Sequence, residues 1–308
     1  MSLGVDRSSW LGAWRCRQQI NRSLQGQHDR IAAVYRSQLP TFIIIGAAKS
    51  ATTSLATALR RHPEIQISRS MEPKFFGRHY VRGWEWYANQ FEADPRRPLR
   101  GEASTMYSSS YGSYARTPEL IHHHLGPIPL IYLTRHPLRR IESHWRHWRG
   151  RIKDCPPFDQ LLRSPRLRQR VVDASLYHQQ WQRYRRWFPQ QSMLSITTEE
   201  LTTEPRSSLR RILSFIGATP DCSGLLKGGQ LPLMNPAGSK GRRDVAPPNW
   251  SDELKQKTID LIRPDSERFL ARTGQLSTTW SWDWAHPLIK RSDPTTGPAA
   301  AGDGRRSL

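Results

Sequence analysis

The hydrophobic pattern in the central part of the chain predicts strands that alternate with helices. Residues 42–45 (Phe-Ile-Ile-Ile) and 129–133 (Pro-Leu-Ile-Tyr-Leu) are apolar runs, and shorter candidate strands follow at 64–68 and 193–197. A continuous apolar run is typical of a strand that is buried on both faces of a parallel sheet. The pattern therefore favours an α/β fold with a three-layer, doubly wound and mainly parallel sheet.

Helical signals fill the intervals between these strands. Three segments have the periodicity or boundary residues of helices: 52–61, 179–188 and 205–216. Pro137 suits the first turn of a further helix. The periodicity returns over 250–273, where we expect Pro264 to interrupt the helix. In such a sheet, ligands bind at the carboxyl ends of the strands.

The two ends of the chain differ in composition from its centre. Residues 1–40 form a polar, partly helical N-terminal extension with an interrupted apolar stripe, which we expect to pack on the core as an arm. Residues 41–285 are predicted to form one domain. Residues 286–308 are rich in Ala, Gly, Pro and Ser, and this composition predicts a disordered tail.

A large positive charge distinguishes the composition. Lysine and arginine number 47 against 26 acidic residues, so the formal net charge is +21. A field of that sign concentrates polyanions, which leaves nucleic acid, anionic lipid, an acidic glycan or a merely solvated basic surface open. The three cysteines are too few for a disulfide framework, although a bridge between Cys155 and Cys222 stays open.

The location of the protein is a further expectation from the hydrophobic pattern. The N-terminal segment lacks the pattern of a signal peptide, and no run of about eighteen apolar residues follows it. We therefore expect a soluble, cytoplasmic protein without a membrane span.

The strand at 42–45 leads into a segment with the features of a phosphate-binding loop. Gly46 is followed by small residues, by Lys49 and by four hydroxyl residues: Ser50, Thr52, Thr53 and Ser54. Backbone N–H groups at such a strand-loop-helix turn point at a bound anion, and a lysine adds a point charge. The ATPase loop ends in Gly-Lys-Ser/Thr, a triplet that this chain lacks. A P-loop-like nucleotide site of another type is therefore predicted.

Three other segments carry charged residues that suit phosphate binding or proton transfer. Arg135 follows the strand at 129–133, and Ser143 lies about two turns along the next helix, so both could face one phosphate. Glu72 precedes a Phe-Phe pair, and a basic, Gly-rich stretch occupies 238–243. We expect four other arginines of the helix to form a solvated face: Arg139, Arg140, Arg146 and Arg149.

Together the four segments resemble the sulfotransferases that use 3′-phosphoadenylyl sulfate (PAPS), in the branch of heparan sulfate and other glycan sulfotransferases. Segment 49–54 is similar to the family loop Lys-x-Gly-Thr-Thr, and segment 135–145 is similar to Arg-x-Pro-x-x-Arg-x-x-Ser-x-Tyr/Trp. Segment 71–76 resembles Lys-Glu-x-x-Phe-Phe, and segment 238–243 resembles the loop Ser-Lys-Gly-Arg. The resemblance covers residues 41–274.

The resemblance implies a role for each matching residue. Lys49 stabilises the departing phosphate oxygen, and Glu72 is the general base that accepts the proton of the acceptor hydroxyl or amine. The 5′-phosphate is held by Lys49, Ser50, Ala51, Thr52, Thr53 and Ser54. The 3′-phosphate is held by Arg135, Ser143, Ser239, Lys240, Gly241 and Arg242. PAP is the product, and no metal is expected, because lysine and backbone dipoles supply the positive charge.

Two positions depart from the family pattern. Ala51 stands where the family has glycine, and it carries strain if the backbone there requires a positive φ. Met71 stands where the family has lysine, and either Arg69 or Lys74 could restore that charge. The departure at Ala51 concerns the affinity for the cofactor, and the departure at Met71 concerns the binding of the acceptor.

The acceptor is predicted more coarsely than the donor. The resemblance favours a carbohydrate, and four tryptophans fit either sugar stacking or the core: Trp84, Trp86, Trp145 and Trp148. Segment 101–107 is similar to a family segment near the acceptor cleft, Gly-Glu-x-(Ser/Thr)-Pro-x-Tyr, or forms a plain turn. A metal site at 122–124 (His-His-His) is disfavoured, because adjacent histidines on a helix point in different directions.

Two functions of other classes stay open at this point. A P-loop nucleotide kinase is disfavoured by the missing Gly-Lys-Ser/Thr triplet. A non-catalytic binder of nucleic acid or other polyanions is suggested by the net charge of +21 and by the two departures from the family pattern. The sequence favours the enzyme with a glycan or other hydroxyl or amine acceptor, makes nucleic acid an unlikely partner, and leaves the oligomeric state open.

Overall fold

A five-stranded sheet forms the centre of the computed structural model, which describes residues 7–92, 94–234 and 245–283. The strands are β1 (Phe42–Gly46), β2 (Ile65–Ile67), β3 (Leu99–Glu102), β4 (Leu130–Thr134) and β5 (Met193–Thr197). Their order is β2-β3-β1-β4-β5, and every neighbouring pair is parallel. The mainly parallel sheet expected from the sequence is confirmed.

Helices connect the strands and cover both faces of the sheet. They are α1 (Arg7–Leu24), α2 (Asp29–Val34), α3 (Thr52–Leu59), α4 (Trp84–Ala88), α5 (Thr117–Leu125), α6 (Pro137–Arg149), α7 (Phe158–Arg163), α8 (Pro165–Val172), α9 (Tyr177–Arg185), α10 (Thr198–Thr203), α11 (Pro205–Ile216) and α12 (Asp252–Arg272). Pro137 begins α6, as predicted, and Gly217 ends α11 in a left-handed conformation.

Alternate residues of the central strands enter different cores, which makes the fold three-layered. In β1, Ile43 and Ile45 join an aromatic-rich core that includes Phe75 and Trp181. Phe42 and its neighbour Ile44 face the opposite side and pack in an aliphatic core with α3 and α11. Because successive side chains of a strand point to opposite faces, both faces of β1 must be apolar.

β3 is a strand that the sequence analysis did not predict as one. It carries Arg100 and Gly101 in place of an apolar run, yet it pairs with β2 on one side and β1 on the other. Gly101 is required there, because a Cβ at this position would lie 2.2 Å from the ring of Phe42. The turn considered for 101–107 is therefore wrong for its first residues.

The expected break at Pro264 is also wrong, because α12 continues through it. Ile262, Ser266 and Phe269 are buried on both sides of the proline. The burial of these three side chains stabilises the continuous helix by more than the loss of the one backbone hydrogen bond that a proline cannot donate.

The N-terminal helices pack against the aromatic-rich core. Cys16, Ile20 and Ala32 are buried in that core, and the Ser23 hydroxyl bonds to the hydroxyl of Tyr80 and to Nε2 of His124 at 2.7 Å.

The three cysteines of the chain, Cys16, Cys155 and Cys222, are all buried free thiols within the described residues. The disulfide bridge between Cys155 and Cys222 that the sequence left open is therefore not formed. None of the described helices combines the length and apolarity needed to span a bilayer. The domain boundaries and the cytoplasmic location stay predictions.

Candidate active site

The loop after β1 presents a helix N-terminus and a buried hydroxyl at the carboxyl edge of the sheet. Helix α3 begins at Thr52, and its N-cap residue Ala51 makes no side-chain capping bond. The first N–H groups of α3 are therefore available to another acceptor. The hydroxyl of Ser50 is buried and has no hydrogen-bond partner within the described chain. An uncapped helix end beside an orphaned hydroxyl fits a bound phosphate.

Two residues of this loop have a left-handed backbone. Lys49 has a φ of 74° and Ala51 a φ of 60°. A residue with a Cβ pays about 1–2 kcal/mol in this region, which glycine avoids. The departure at Ala51 therefore falls where the backbone does require a positive φ.

Arg135 follows β4 and reaches the same loop. Its Nη1 donates to the carbonyl oxygen of Lys49 at 3.4 Å. The hydroxyl of Tyr177 accepts from the backbone N–H of Arg135 at 3.3 Å and donates to its carbonyl oxygen at 2.7 Å. The structure thus brings Arg135, predicted for the 3′-phosphate, into contact with Lys49, predicted for the 5′-phosphate.

Arg140 holds the loop from beneath and is fully buried, so the expected solvated position is wrong. Its Nη1 donates to the carbonyl oxygen of Ala48 at 3.3 Å, and its other nitrogens contact Ser175 and Val171. A guanidinium has five N–H donors, which makes such burial tolerable when several oxygens surround it. Sequence reasoning missed this role.

The other three arginines of α6 are also engaged with protein atoms. Arg139 lies 3.4 Å from a carboxylate oxygen of Glu142, and Nε of Arg146 donates to Val245 O at 2.6 Å. Arg149 donates to the carbonyl oxygen of Cys155. These contacts tie α6 to its surroundings, so the helix does not present a merely solvated basic face.

Ser143 lies on the face of α6 that meets the loop. Arg140, Ser143 and His147 are spaced at i, i+3 and i+7, which places them on one side of a helix. Arg140 contacts Ala48, and Nδ1 of His147 lies 3.5 Å from Nζ of Lys49. Ser143, which is half-buried, therefore shares this side of α6 with Arg140 and His147.

Two histidines near Lys49 are site residues that the sequence analysis missed. His147 contacts the lysine, and His144 is buried with Nδ1 3.2 Å from Nη1 of Arg140. Burial, followed by the charge of Arg140, lowers the pKa of His144 well below its usual value, so its ring is neutral. Their spacing from Arg140 along α6 is the signal that could have revealed them.

Glu72 is half-buried and held by two side chains. The hydroxyl of Thr105 donates to Oε1 at 3.0 Å, and Nζ of Lys74 lies 2.8 Å from Oε2. Lys74 therefore supplies a positive charge beside Glu72, which Met71 does not. Arg69 is instead 3.5 Å from Glu92.

Thr105 connects Glu72 to the phosphate loop. Its hydroxyl bonds to Glu72, and its carbonyl oxygen would lie 3.0 Å from a Cβ at Gly46. The side chain of Ser108 is closer still to that position, at 2.2 Å. Gly46 therefore allows the segment after β3 to approach β1, and this approach brings the proposed base to the carboxyl edge of the sheet.

Glu102 is a second carboxyl group, fully buried at the end of β3. Ser104 donates to its Oε2 at 3.5 Å, and Ser104 also accepts from the backbone N–H of Lys74 at 2.8 Å. Burial raises the pKa of Glu102 to about 8, and the charge of Glu72 acts in the same direction. Glu102 is therefore neutral beneath Glu72 at pH 7.

Some predicted features lie outside these contacts. Ser239, Lys240, Gly241 and Arg242 fall outside the described residues, so their role stays a prediction. Trp84 and Trp145 are buried in the cores, whereas Trp86 and Trp148 are half-buried.

His123 and His124 do not point apart as expected, because both approach Asp29 of α2. Nε2 of His123 lies 2.7 Å from Oδ1 of Asp29, and Nδ1 of His124 lies 4.0 Å from it. Burial lowers the pKa of His124 to about 3. The contact between His123 and Asp29 is explained by a hydrogen bond, and the absence of a metal from the reaction stays a prediction.

The sequence model of the sulfotransferase domain matches residues 39–227 of this chain. The chain belongs to the sulfotransferase family. The matched segment includes Lys49, Glu72, Arg135 and Ser143. The N-terminal arm lies almost entirely outside it.

Named relatives of this chain agree with the match. Heparan sulfate glucosamine 3-O-sulfotransferase 3B1 of Mus musculus is 27% identical over 265 residues, which are 80% of this chain and 65% of that protein. Heparan sulfate glucosamine 3-O-sulfotransferase 6 of Homo sapiens is 28% identical over 260 residues, 78% of this chain and 73% of that protein. The chain thus spans 65% of the length of the first of these relatives.

A solved structure has the same fold. A sulfotransferase from Alicyclobacillus acidocaldarius superposes with a TM-score of 0.62 at 22% identity and covers 78% of this chain and 98% of its own. The doubly wound α/β architecture is therefore that of a known sulfotransferase.

We predict that Ala51→Gly stabilises the protein by about 1 kcal/mol, because glycine removes the cost of the left-handed backbone at this position. Denaturant unfolding of both proteins measures the difference. Ala33→Gly, on the exposed face of α2, is the control and should destabilise by about 0.5–1 kcal/mol. Equal destabilisation by both substitutions would contradict the assigned backbone strain.

A second prediction concerns the buried carboxyl of Glu102. Its pKa rises from 4.5 to about 8 on folding, so both states carry the proton at low pH. Between these two values only the unfolded state loses the proton, and stability falls by up to about 1.4 kcal/mol per pH unit. Glu102→Gln should remove this loss of stability. The melting temperature of the variant should therefore exceed that of the wild-type protein by more at pH 8 than at pH 5. Glu85→Gln, on the exposed surface of α4, is the matched control, and a gain independent of pH at position 102 would contradict the assignment.

Proposed function

We propose that this protein transfers the sulfuryl group of PAPS to a hydroxyl or amine of a carbohydrate acceptor. The observation that carries the proposal is the convergence of three parts at one edge of the sheet: the loop with Lys49, the guanidinium of Arg135, and Glu72 held by Thr105. Membership in the sulfotransferase family supports the reaction class.

The residues around the loop fit the phosphates of the donor. The uncapped start of α3 and the orphaned hydroxyl of Ser50 offer donors to the 5′-phosphate. Arg135 has a planar fork that suits a terminal phosphate, and Ser143 lies on the facing side of α6. These are the residues that would hold PAPS, with PAP held in the same way after transfer.

Lys49 and Glu72 act at opposite ends of the transfer. When bound, PAPS supplies an activated sulfuryl group. The bond from sulfur to the phosphate oxygen breaks, and Lys49 compensates the negative charge that develops on that oxygen. Glu72 takes the proton of the acceptor as its oxygen or nitrogen bonds to sulfur.

The environment of Glu72 supports its role as base. Nζ of Lys74 and the hydroxyl of Thr105 each contact one oxygen of its carboxyl group, and together they fix its orientation. Neutral Glu102 adds no second negative charge beneath it at pH 7. The acceptor proton therefore meets an oriented carboxylate.

The carbohydrate acceptor is inferred from the relatives and from the charge of the chain. The relatives are named as heparan sulfate sulfotransferases. A net charge of +21 suits an acidic glycan, which a cationic surface attracts at long range. A kinase is disfavoured by the absent Gly-Lys-Ser/Thr triplet, and a purely passive polyanion binder leaves the arrangement around Glu72 unexplained.

The donor site is tested with PAP. We expect PAP to raise the melting temperature by several degrees and ATP to do so much less. Arg135→Ala should weaken PAP binding about 100-fold in calorimetry, because a charged hydrogen-bonding fork is lost. Arg135→Lys keeps the charge but loses the planar fork, so its affinity for PAP should lie between those of the wild-type protein and Arg135→Ala.

The control for this loss is Arg210→Ala, which removes one positive charge from the exposed side of α11. It should leave PAP binding unchanged. Indifference of the wild-type protein to PAP, or equal stabilisation by PAP and ATP, would contradict the proposed donor.

The base is tested by Glu72→Gln. This variant should bind PAP normally and transfer sulfate from radiolabelled PAPS to a desulfated heparin acceptor roughly 100- to 10,000-fold more slowly, since the proton acceptor is gone. Glu92→Gln removes an exposed carboxylate nearby and should retain full activity. Wild-type turnover in Glu72→Gln would remove Glu72 from the role of base.

A further inference from the structure

An open groove of about 590 Å³ lies between the N-terminal arm and the segment that follows Glu72. Helix α1 forms one wall, Ile31 of α2 contributes to the rim, and Tyr80, Val81 and Gly83 form the opposite wall. Its volume lies within the range of small-ligand sites, which is roughly 300–1,000 Å³. No residue that we assign to donor binding or catalysis lines it.

The lining combines three kinds of side chain that together recognise acidic sugars. Trp14 offers an exposed aromatic surface, whereas Tyr80 and Trp84 also line the groove but are almost fully buried. Arg15 and Arg22 are exposed cations on the same helix, and within the described chain neither forms an ion pair with a carboxylate.

Two glutamines complete this set, and they lie between the arginines along α1. Gln18 and Gln19 are half-buried, and their amides both donate and accept hydrogen bonds. Arginines pair with carboxylate or sulfate groups, amides pair with hydroxyls, and aromatic rings cover the apolar faces of sugar rings.

Three apolar residues of the groove are exposed to solvent. Trp14 is 45% exposed, Ile31 49% and Val81 54%. Exposed apolar side chains grouped with cations mark a surface that binds something. An extended aliphatic ligand would require a more uniformly aliphatic lining than one with two amides, two arginines and a histidine.

The groove is connected to Glu72 by a short, folded segment. The backbone N–H of His79 donates to the carbonyl oxygen of Lys74 at 3.0 Å, and Nδ1 of His79 lies 2.7 Å from the carbonyl oxygen of Pro73. Tyr80, which follows directly, lines the groove. One hydrogen-bonded loop therefore separates the partner of Glu72 from the groove wall.

Cations continue along this loop. Arg78 and Arg82 are exposed on it, and the guanidinium of Arg82 lies 4.7 Å from the ring centre of Trp86. Together with Lys74 they extend the positive charge of Arg15 and Arg22 toward the base. A chain of acidic sugars has the charge that is complementary to these cations.

From these observations we propose that the groove is a remote acceptor subsite, which binds an acidic oligosaccharide segment while another residue of the same chain lies at Glu72. This inference rests on the proposed sulfotransferase function, because it defines where the acceptor extends. The arm lies outside the matched family segment 39–227. The wall formed by α1 therefore lies outside the matched segment, whereas the opposite wall lies within it.

The test compares Arg15→Ala/Arg22→Ala with the wild-type protein on short and long desulfated heparin oligosaccharides. The double variant should raise KM for the long acceptor about tenfold and leave kcat unchanged, because two exposed charge contacts are lost far from the reacting atoms. The KM of a short acceptor, which cannot reach the groove, should not change. Trp14→Ala should have the same pattern through loss of stacking.

Arg17→Ala is the matched control, because Arg17 is an exposed arginine of α1 that does not line the groove. It should leave the KM of both acceptors unchanged. The subsite would be overturned if Arg17→Ala raised KM as much as the double variant does, or if the double variant raised KM equally for short and long acceptors. Either result would leave only a general effect of charge.

Calorimetry with the long oligosaccharide separates this inference from the proposed function. If PAP stabilises the protein but the double variant binds the oligosaccharide as tightly as the wild-type protein does, only the subsite is overturned. If the wild-type protein neither binds PAP nor transfers sulfate, the proposed function is overturned. Vesicles of phosphatidylglycerol and phosphatidylcholine provide the remaining arm. The wild-type protein could sediment with these vesicles while the double variant does not, with oligosaccharide binding the same in both. That result would assign the groove to a lipid surface and overturn the proposal.

Discussion

The buried guanidinium of Arg140 is the contact on which the loop after β1 depends. It bonds to the carbonyl oxygen of Ala48 and so holds the loop after β1 from beneath. With the loop held there, Lys49 meets Arg135 on one side and His147 on the other. Because the charge is fully buried, loss of any of its oxygen partners would leave an unpaired donor in a low dielectric, which is a strong reason for the loop to keep one shape.

Two carboxyl groups near each other, those of Glu72 and Glu102, differ in environment and therefore in charge. Glu72 is partly exposed beside Lys74 and Thr105, whereas Glu102 is enclosed by the core and keeps its proton at neutral pH. Ser104 and Thr105 are consecutive residues, so Glu102 and Glu72 are both contacted by the same short segment.

Much of the fold and of the donor site could be predicted from local patterns. The apolar runs of β1 and β4 identify buried parallel strands, and the loop that contains Lys49 has its own sequence signature. β3 escaped prediction because Gly101 and Arg100 give it no apolar period, and its strand conformation comes from pairing with both neighbours. The groove was likewise invisible, since its two walls come from separate parts of the chain.

The sequence by itself determined the α/β architecture, the phosphate-binding loop and the resemblance to sulfotransferases, because these depend on residues adjacent in the chain. Only the tertiary structure decided that Arg140 is buried rather than solvated, that Lys74 rather than Arg69 pairs with Glu72, and that Ala51 has a left-handed backbone. The physical reason is that burial, charge pairing and loop conformation are set by neighbours in space. Local spacing carries no record of those neighbours.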